Sequence, residues 1–295
     1  MKKKLNQYSF FLSKILMRTQ LTKVSEQLNI ARHKYLKKTL KPILDNVYIN
    51  CNKNEIGIEK KQNKIIWCFW WQGQDAMPEL IKKCYESVKK NAGNRKVILI
   101  TSKNIDTYST IPNYIFEKVN EKKISITHLS DILRFNLLKN YGGVWVDLTL
   151  YITKNLDCIS TNDFFTCSGY DKNRKFNVAE GRWTGFFIGG QQGLEIFNFA
   201  DSFFNEYWKI NDSLIDYFLI DYVLDYAYEK NISNFRETVY ANKNIEPNLF
   251  LLQPIINNKF KKENWIHLNT NTGVFKLSNR KKINLNDKNN YFNNI

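Results

Sequence analysis

The sequence predicts an α/β fold in which a mostly parallel sheet is flanked by helices. The chain has 295 residues, of which 43% are hydrophobic, enough to bury a sizeable core. Short apolar runs such as KIIWCFWW and RKVILIT are rich in residues that favour buried strands. Amphipathic segments separate these runs, and strands that alternate with helices are typical of parallel sheets.

We expect the chain to divide into a basic, helical N-terminal extension with a linker, residues 1–63, and a main domain, residues 64–295. The first predicted helix carries Leu5, Tyr8 and Leu12 at helical spacing, with lysines between them. Its apolar run is too short and too interrupted by charge for a signal sequence. Such a helix can lie on a membrane surface, or its apolar stripe can pack on the rest of the protein. The sequence leaves both interpretations open.

The next elements follow from local signals. A second helix is predicted at about 22–45, broken near Pro42, and the polar segment 50–63 is predicted as a linker. The main domain then begins at Lys64 with the strand KIIWCFWW. The later elements are predicted, in chain order, as a helix over MPELIKKCYESVKKN, a strand over RKVILIT, helices at about 112–122 and 129–140, a strand at 144–150, strands and loops over 163–190, and a mainly helical segment over 191–230.

The charge of the chain is strongly positive, with a formal net charge of +16. Residues 1–64 contribute +11 of it and the rest of the chain +5. A basic surface attracts nucleic acid, anionic lipid or phosphate-bearing substrates. A general bias of the composition towards Lys, Asn and Ile explains the charge equally well.

The cysteines and histidines argue against a disulfide framework or a zinc site. The five cysteines are an odd number and form no CxxC pair, and the three histidines are scattered. We therefore expect a protein of the reducing cytoplasm, either free or at the inner face of the membrane. No stretch reaches the roughly 18 apolar residues that span a bilayer.

The stretch HLSDILRFNLLKNYGGVWVDLTLY, residues 128–151, concentrates the polar groups of the main domain. Ser130 is predicted to cap a helix whose first turn carries Asp131. Arg134 lies three residues further on and shares a helix face with Asp131. The helix N-terminus favours an anion, and ligands commonly dock at this end of an α/β sheet.

The predicted strand after Gly142 and Gly143 places Trp145, Asp147 and Thr149 on one face, because side chains alternate along a strand. A carboxylate among apolar residues is unfavourable unless a charge or several donors meet it. A ligand hydroxyl, a metal ion or an ion pair with Arg134 would each satisfy Asp147. The spacing alone does not choose between a ligand site and a purely structural ion pair.

The combined pattern, Ser-Asp-x-x-Arg, a short helix, Gly-Gly, an aromatic and then Asp-x-Thr, resembles the donor-binding motif of sugar transferases. It is similar to bacterial capsular polysaccharide synthesis proteins of the group with a DXD sugar-binding region. Clostridial glucosylating toxins and yeast mannosyltransferases of glycosyltransferase family 32 carry a similar signature. KIIWCFWWQG and LIDYFLIDYVL also resemble the capsular group. The resemblance covers about residues 64–225.

The resemblance implies a GT-A fold, a Rossmann-like sheet that binds a nucleotide sugar. Asp131 and Arg134 would then hold the ribose and hexose of the donor, and Asp147 would contact sugar hydroxyls. Trp145 and Thr149 belong to the same implied donor site. Trp67, in the first strand, would stack on a uracil base, although a place in the core explains it equally well.

Thr149 departs from the pattern, because it stands where the second Asp of DXD supplies a carboxylate to Mn²⁺ or Mg²⁺. Asp147 is then the one predicted protein ligand of a metal ion, and metal dependence is in doubt. A basic group such as Lys276, in GVFKLS, is an alternative partner for the leaving diphosphate.

The function implied is transfer of a hexose from a UDP-hexose to a growing capsular polysaccharide, with retention of configuration. The acceptor would be carried on a lipid. Asp216 would contact it or would be a solvated or capped helix acid. A catalytically silent scaffold that binds nucleotide sugars is the first alternative, suggested by Thr149. A nucleic-acid-binding protein is the second, although the chain lacks a known module and its charge lies outside the aromatic-rich core.

Overall fold

The structure, a computed structural model, describes residues 2–19, 21–53, 63–161, 163–169, 175–243 and 245–295. Its helices are α1 (Lys2–Arg18), α2 (Thr22–Lys53), α3 (Glu79–Lys90), α4 (Ile105–Tyr108), α5 (Asn113–Asn120), α6 (Ile126–Tyr141), α7 (Glu195–Ile210), α8 (Leu219–Lys230), α9 (Phe235–Ala241), α10 (Leu252–Ile255), α11 (Lys262–Asn269) and α12 (Tyr291–Asn294). Its strands are β1 (Ile65–Phe69), β2 (Lys96–Ile100), β3 (Gly143–Val146), β4 (Leu150–Ile152), β5 (Phe165–Thr166), β6 (Phe187–Gly190) and β7 (Val274–Lys276).

The main sheet has the strand order β2-β1-β3-β6-β5. Strand β1 runs parallel to both β2 and β3, whereas β6 runs antiparallel to β3 and β5. A second, two-stranded sheet pairs β4 with β7 in antiparallel register. The predicted α/β architecture, with a parallel-rich central sheet between helices, is confirmed.

Both faces of the main sheet are covered, which is the usual condition for parallel strands. Ile66 and Val144 point to one face and pack with Ile81 of α3. Trp67 and Trp145 point to the other face, into a core formed with α6, α7 and α8. The sheet is therefore buried on both faces, and polar side chains lie where its strands end.

The N-terminal extension packs into the same core. Helix α2 is continuous from Thr22 to Lys53 and contains Pro42, so the predicted break near Pro42 and the end near residue 45 are wrong. Leu36 and Leu40 are buried against the main domain, and this burial offsets the hydrogen bond that a proline removes from a helix. Residues 54–62 of the predicted linker lie outside the described residues. The division into 1–63 and 64–295 remains a prediction.

Helix α1 lies on α2 and on the loop before α8. The Ser13 hydroxyl donates to the side-chain oxygen of Asn29 (2.8 Å). The ring of Phe10 contacts those of Phe176 and Phe218. Among the described side chains of α1, the large apolar ones that are exposed are Tyr8, Phe11, Leu12 and Ile15. Among the described helices, none is both long and apolar enough to cross a bilayer.

Helix α6 begins earlier than predicted. Ser125, not Ser130, caps it by accepting a hydrogen bond from the backbone N–H of His128 (3.2 Å). The Ser130 hydroxyl instead donates to the carbonyl of Thr127 (2.6 Å). Gly142 ends the helix with a φ of 67°, a left-handed conformation that glycine adopts without strain.

Strand β3 ends at Val146, four residues before the predicted end. The carbonyl of Asp147 accepts from the backbone N–H of Leu150 (2.9 Å), so Asp147 begins a turn. The apolar residues Leu148 and Leu150 prolong the strand-like pattern, but Leu150 pairs with Lys276 of the second sheet. The predicted alternation of side chains therefore does not extend beyond Val146.

Candidate functional site

A cavity of about 730 Å³ opens beyond the end of β3, beside the N-terminal half of α6 and the first turn of α8. Ligands of α/β proteins commonly bind at this edge of the sheet. Among the described residues, the acidic and basic side chains that line the cavity are Asp131, Arg134, Asp147, Asp221, Lys276 and Lys281. The apolar side of the cavity includes Trp183, Phe186, Phe218, Ile220 and Phe250.

Arg134 connects the two carboxylates on the polar side of the cavity. Its Nη1 donates to Asp131 Oδ1 (2.9 Å) and its Nη2 to Asp147 Oδ1 (3.3 Å). The guanidinium carbon lies 4.9 Å from the ring centroid of Trp145. One buried cation thus fixes two carboxylates on neighbouring elements. The ion pair that the sequence allowed between Arg134 and Asp147 is present, and Asp147 nonetheless keeps 28% of its side chain exposed.

Asp147 is ionised and held from several sides. The indole N–H of Trp145 donates to Oδ1 (2.8 Å), and the Lys276 ammonium donates to Oδ2 (3.1 Å). Burial alone would raise the pKa of this carboxyl, but Lys276, Arg134 and the indole donor outweigh burial and lower the pKa below its ordinary value. The carboxylate is therefore a permanent acceptor at the cavity floor.

Lys276 joins Thr149 to this cluster. Its Nζ donates to Thr149 Oγ1 (2.5 Å) and lies 4.4 Å from the ring centroid of Phe186. Strand β7 brings the side chain here, because Lys276 is the register partner of Leu150, the residue after Thr149. The candidate cation of the sequence analysis is thus a direct neighbour of both predicted motif residues.

These residues do not fit a divalent cation. Mn²⁺ and Mg²⁺ need several oxygen ligands and tolerate no cation among them. Asp147 and Thr149 both bind the Lys276 ammonium, and Asp131 is paired with Arg134. Across the described ranges, no group of three or more His, Cys, Asp or Glu side chains could hold a metal ion. The metal role predicted for Asp147 has no support in this arrangement.

Asp221 is a cavity residue that the sequence analysis missed. It lies in the first turn of α8, and its Oδ1 accepts from the indole N–H of Trp183 (3.2 Å). Burial, helped by the negative charge of Asp131, raises its pKa to about 7. The sequence carries a weak signal for it, an acid in the first turn of an apolar helix, but five residues earlier Asp216 carries a similar one.

Asp216, the predicted acceptor contact, does not line the cavity. It lies in the loop before α8 and pairs with Arg32 of α2 (2.6 Å), with both side chains buried. It is therefore a buried, ion-paired loop residue and not the solvated or capped helix acid of the alternative interpretation.

The two predicted tryptophans also lie away from the cavity. Trp67 is fully buried, and its indole N–H donates to the carbonyl of Gly142 (2.8 Å). Trp145 is buried and reaches the site through Arg134 and Asp147. The structure therefore brings Asp131, Arg134 and Asp147 to the cavity wall, connects Thr149 to it through Lys276, and gives Trp67 no face on which a base could stack.

Gly185 leaves the room that Arg134 needs. A Cβ added to Gly185 would lie 3.2 Å from Arg134 Nη1 and 2.8 Å from Ile220 Cδ1. Contact at these distances forces a neighbour to move. This glycine is a second cavity residue that the sequence did not indicate, because its constraint comes from two distant segments.

Comparisons with known proteins identify a family and one similar solved structure. The profile of a family described as "Capsular polysaccharide synthesis protein" matches residues 17–295. Among solved structures, the chain is similar to one named "PaToxG Glycosyltransferase", with 16% sequence identity and a TM-score of 0.41. That match covers 72% of this chain and 84% of the other. No curated protein matches the chain.

Proposed function

The chain belongs to the capsular polysaccharide synthesis family, and on this premise we propose that it is a glycosyltransferase. It moves a hexose from a nucleotide sugar, a UDP-hexose, to a growing surface polysaccharide. One observation carries the proposal: a single arginine holds two carboxylates at the floor of a cavity that also presents a lysine ammonium.

The two kinds of charge suit the two ends of a nucleotide sugar. Sugar hydroxyls donate well to carboxylates, and Asp131 and Asp147 are fixed acceptors because Arg134 holds both. A diphosphate needs positive charge, which Lys276 supplies on the same cavity wall. The cavity volume of about 730 Å³ lies within the usual range for bound small molecules.

The chemistry then needs little beyond positioning. The bond between the sugar C1 and the phosphate oxygen breaks, and its electron pair leaves with the diphosphate. The acceptor oxygen forms the new bond to C1 on the face from which the diphosphate departs, and its proton goes to the departing diphosphate. Positively charged groups that face the leaving group stabilise the negative charge that develops on it. This scheme keeps the configuration at C1 and requires no histidine.

The acceptor side of the proposal concerns the membrane. Helix α1 exposes Tyr8, Phe11 and Leu12, and residues 1–64 carry a net charge of +11. Apolar and basic residues together favour an anionic lipid surface. Phe10 of the same helix packs on Phe218, a cavity residue, so a membrane-bound α1 would bring the cavity near a lipid-linked glycan. We therefore infer attachment at the inner face of the membrane.

Calorimetric titration of UDP and a panel of UDP-hexoses into the wild type and Asp147→Asn tests the donor site. We expect micromolar binding to the wild type and a loss of about tenfold or more in the variant, because a charged hydrogen bond contributes roughly 1.5–3 kcal/mol. Asp163→Asn, which changes an acid outside the cavity lining, is the matched control. Equal affinity in the wild type and Asp147→Asn would contradict the proposed site.

The catalytically silent alternative is separated by turnover. A scaffold binds UDP-hexose through the same residues but releases no UDP over hours, with or without an added glycan acceptor. Steady release of UDP that stops in Arg134→Met identifies an enzyme. Nucleic-acid binding is not proposed, because the cavity sets carboxylates rather than a basic groove beside its aromatic rings.

A further inference from the structure

The position of Lys276 is fixed by the fold rather than by a flexible loop. Strand β4 follows the Asp147–Thr149 turn directly, and β7 pairs with β4 so that Leu150 is opposite Lys276. The backbone N–H of Lys276 also donates to the carbonyl of Leu249 (2.7 Å). Two strands far apart in the chain thus hold one ammonium beside the two motif positions.

The ammonium is partly saturated. A lysine ammonium has three N–H donors. Within the described part of the chain, its hydrogen-bond acceptors are Asp147 Oδ2 and Thr149 Oγ1, and the ring of Phe186 lies against it. The side chain is 22% exposed and lines the cavity. Two of the three N–H groups thus have acceptors among the described residues, and the exposed part of the side chain faces the cavity, where an anionic ligand can reach it.

Thr149 suits this arrangement better than a carboxylate would. Its hydroxyl accepts a hydrogen bond from the ammonium without adding negative charge, so Asp147 alone balances the charge of Lys276 among the described neighbours. An Asp at this position would form a two-carboxylate site with Asp147, which attracts a dication. Thr149, which departs from the DXD pattern, is thus the hydrogen-bond partner of Lys276, the cation that can stand in for the metal ion.

We propose that the Lys276 ammonium, oriented by Asp147 and Thr149, takes the place of a divalent metal ion and binds the diphosphate of the donor directly. The proposal rests on the proposed function and adds to it that donor binding needs no metal. No bond is made or broken by Lys276, which keeps its proton throughout.

Binding of UDP, uridine and inorganic pyrophosphate, each with excess Mn²⁺ and with chelator, tests the proposal. We expect the wild type to bind UDP equally well in both conditions. Lys276→Met should weaken UDP and pyrophosphate binding at least tenfold and leave uridine binding unchanged, which also shows that the variant is folded. Lys262→Met, which removes an exposed lysine that does not line the cavity, is the matched control and should change each affinity less than threefold.

A second variant tests the exchange of cation for cation directly. Thr149→Asp combined with Lys276→Met should bind Mn²⁺, measured by electron paramagnetic resonance without any nucleotide, whereas the wild type should not. UDP binding by this double variant should become sensitive to chelator.

Three results would overturn the proposal. They are chelator-sensitive UDP binding by the wild type, Mn²⁺ binding by the wild type in the absence of nucleotide, and full UDP affinity in Lys276→Met. Pyrophosphate binding that depends on Lys276 without any UDP binding would contradict the proposed donor while supporting the role of Lys276. If the wild type binds neither UDP nor pyrophosphate, both proposals fail.

Discussion

Two buried arginine–aspartate pairs in this protein have the same chemistry and different consequences. Arg32 and Asp216 lie 2.6 Å apart, each with 2% of its side chain exposed, and join α2 to the loop before α8. Arg134 and Asp147 lie 3.3 Å apart, and Asp147 opens to the cavity. The first pair is closed by further bonds to Phe176 and Phe218. A buried ion pair therefore marks a functional site only where a cavity reaches it.

Breaking the closed pair, Arg32 and Asp216, should have the largest effect on the free energy of unfolding. Arg32→Met leaves the Asp216 carboxylate buried beside a methionine, and we expect a loss of about 3–5 kcal/mol in the free energy of unfolding. Urea denaturation measures it. Arg32→Met with Asp216→Leu should recover most of the loss, because no buried charge remains. If the single variant is as stable as the wild type, the pair does not hold α2 in place.

Breaking the open pair, Arg134 and Asp147, should affect function more than stability. We expect Arg134→Met to lower the rate of UDP-hexose turnover at least 100-fold, since two carboxylates lose their common donor. Its stability should fall by less than that of Arg32→Met, because Lys276 and the Trp145 indole still hold Asp147. Steady-state UDP release and urea denaturation measure the two quantities. A larger stability loss in Arg134→Met than in Arg32→Met would reverse the comparison.

The protonation of Asp221 extends the comparison to pH. Its pKa is about 7 in the folded protein, against an ordinary value of 3.8. The folded state therefore binds more protons than the unfolded state between these values, so the free energy of unfolding falls as the pH rises from about 4 through about 7. The groups that face it are Asp131 and Asp216, which raise its pKa, and Arg134 and the Trp183 N–H, which lower it.

Asp221→Asn should remove this pH dependence. Between pH 5 and pH 8, we expect the wild type to lose on the order of 2 kcal/mol in unfolding free energy relative to the variant. Urea denaturation at several pH values measures the difference, with the exposed Asp75→Asn as the control. If the unfolding free energies of the wild type and Asp221→Asn change in parallel with pH, the pKa of Asp221 is not raised in the folded protein.

Crowding at Gly185 should produce an intermediate effect on the open pair alone. Gly185→Ala pushes a methyl group towards Arg134 Nη1 and Ile220. We expect UDP affinity to fall about fivefold to tenfold, equivalent to roughly 1–1.4 kcal/mol. Calorimetry measures it, and Gly73→Ala, where an added Cβ meets nothing within 4 Å although the glycine has a positive φ, controls for the loss of a glycine. Unchanged affinity in Gly185→Ala would show that Arg134 has room to move.

The smallest effect should come from the exposed face of α1. Phe11→Ser with Leu12→Ser should weaken binding to vesicles of anionic lipid several-fold and leave UDP affinity unchanged. Vesicle sedimentation at two salt concentrations measures it, with neutral vesicles as the control. Removing residues 1–50 is unsuitable, because it would also remove the buried Leu36 and Leu40. Equal sedimentation of the wild type and the variant would argue against membrane attachment through α1.

The sequence predicts those parts of the site that depend on local spacing. Asp131 and Arg134 are three residues apart on one helix, and Asp147 follows a strand at the adjoining edge, so their grouping follows from element geometry alone. The family motif strengthens the same three positions. The alternation of strands and helices likewise suffices for the fold class.

The parts that the sequence could not predict depend on distant contacts. The apolar pattern continues through Leu148 and Leu150, so the change of sheet after Val146 is invisible without the pairing of β4 with β7. Asp216 and Asp221 occur in one apolar stretch, and only the positions of Arg32 and Trp183 decide which carboxylate is closed off. Lys276 was one lysine among many until the β4–β7 register placed it.

The β4–β7 pairing also sets the order in which the site is completed during synthesis. Ribosomes release the chain from its N-terminus, and the strands of the main sheet are finished at Gly190. At that stage Asp147 and Thr149 lack the Lys276 ammonium, because Lys276 leaves the exit tunnel only later. A chain that ends before Lys276 would hold every strand of the main sheet together with Asp131 and Asp147, and it would lack the cation to which the proposed function assigns the donor diphosphate.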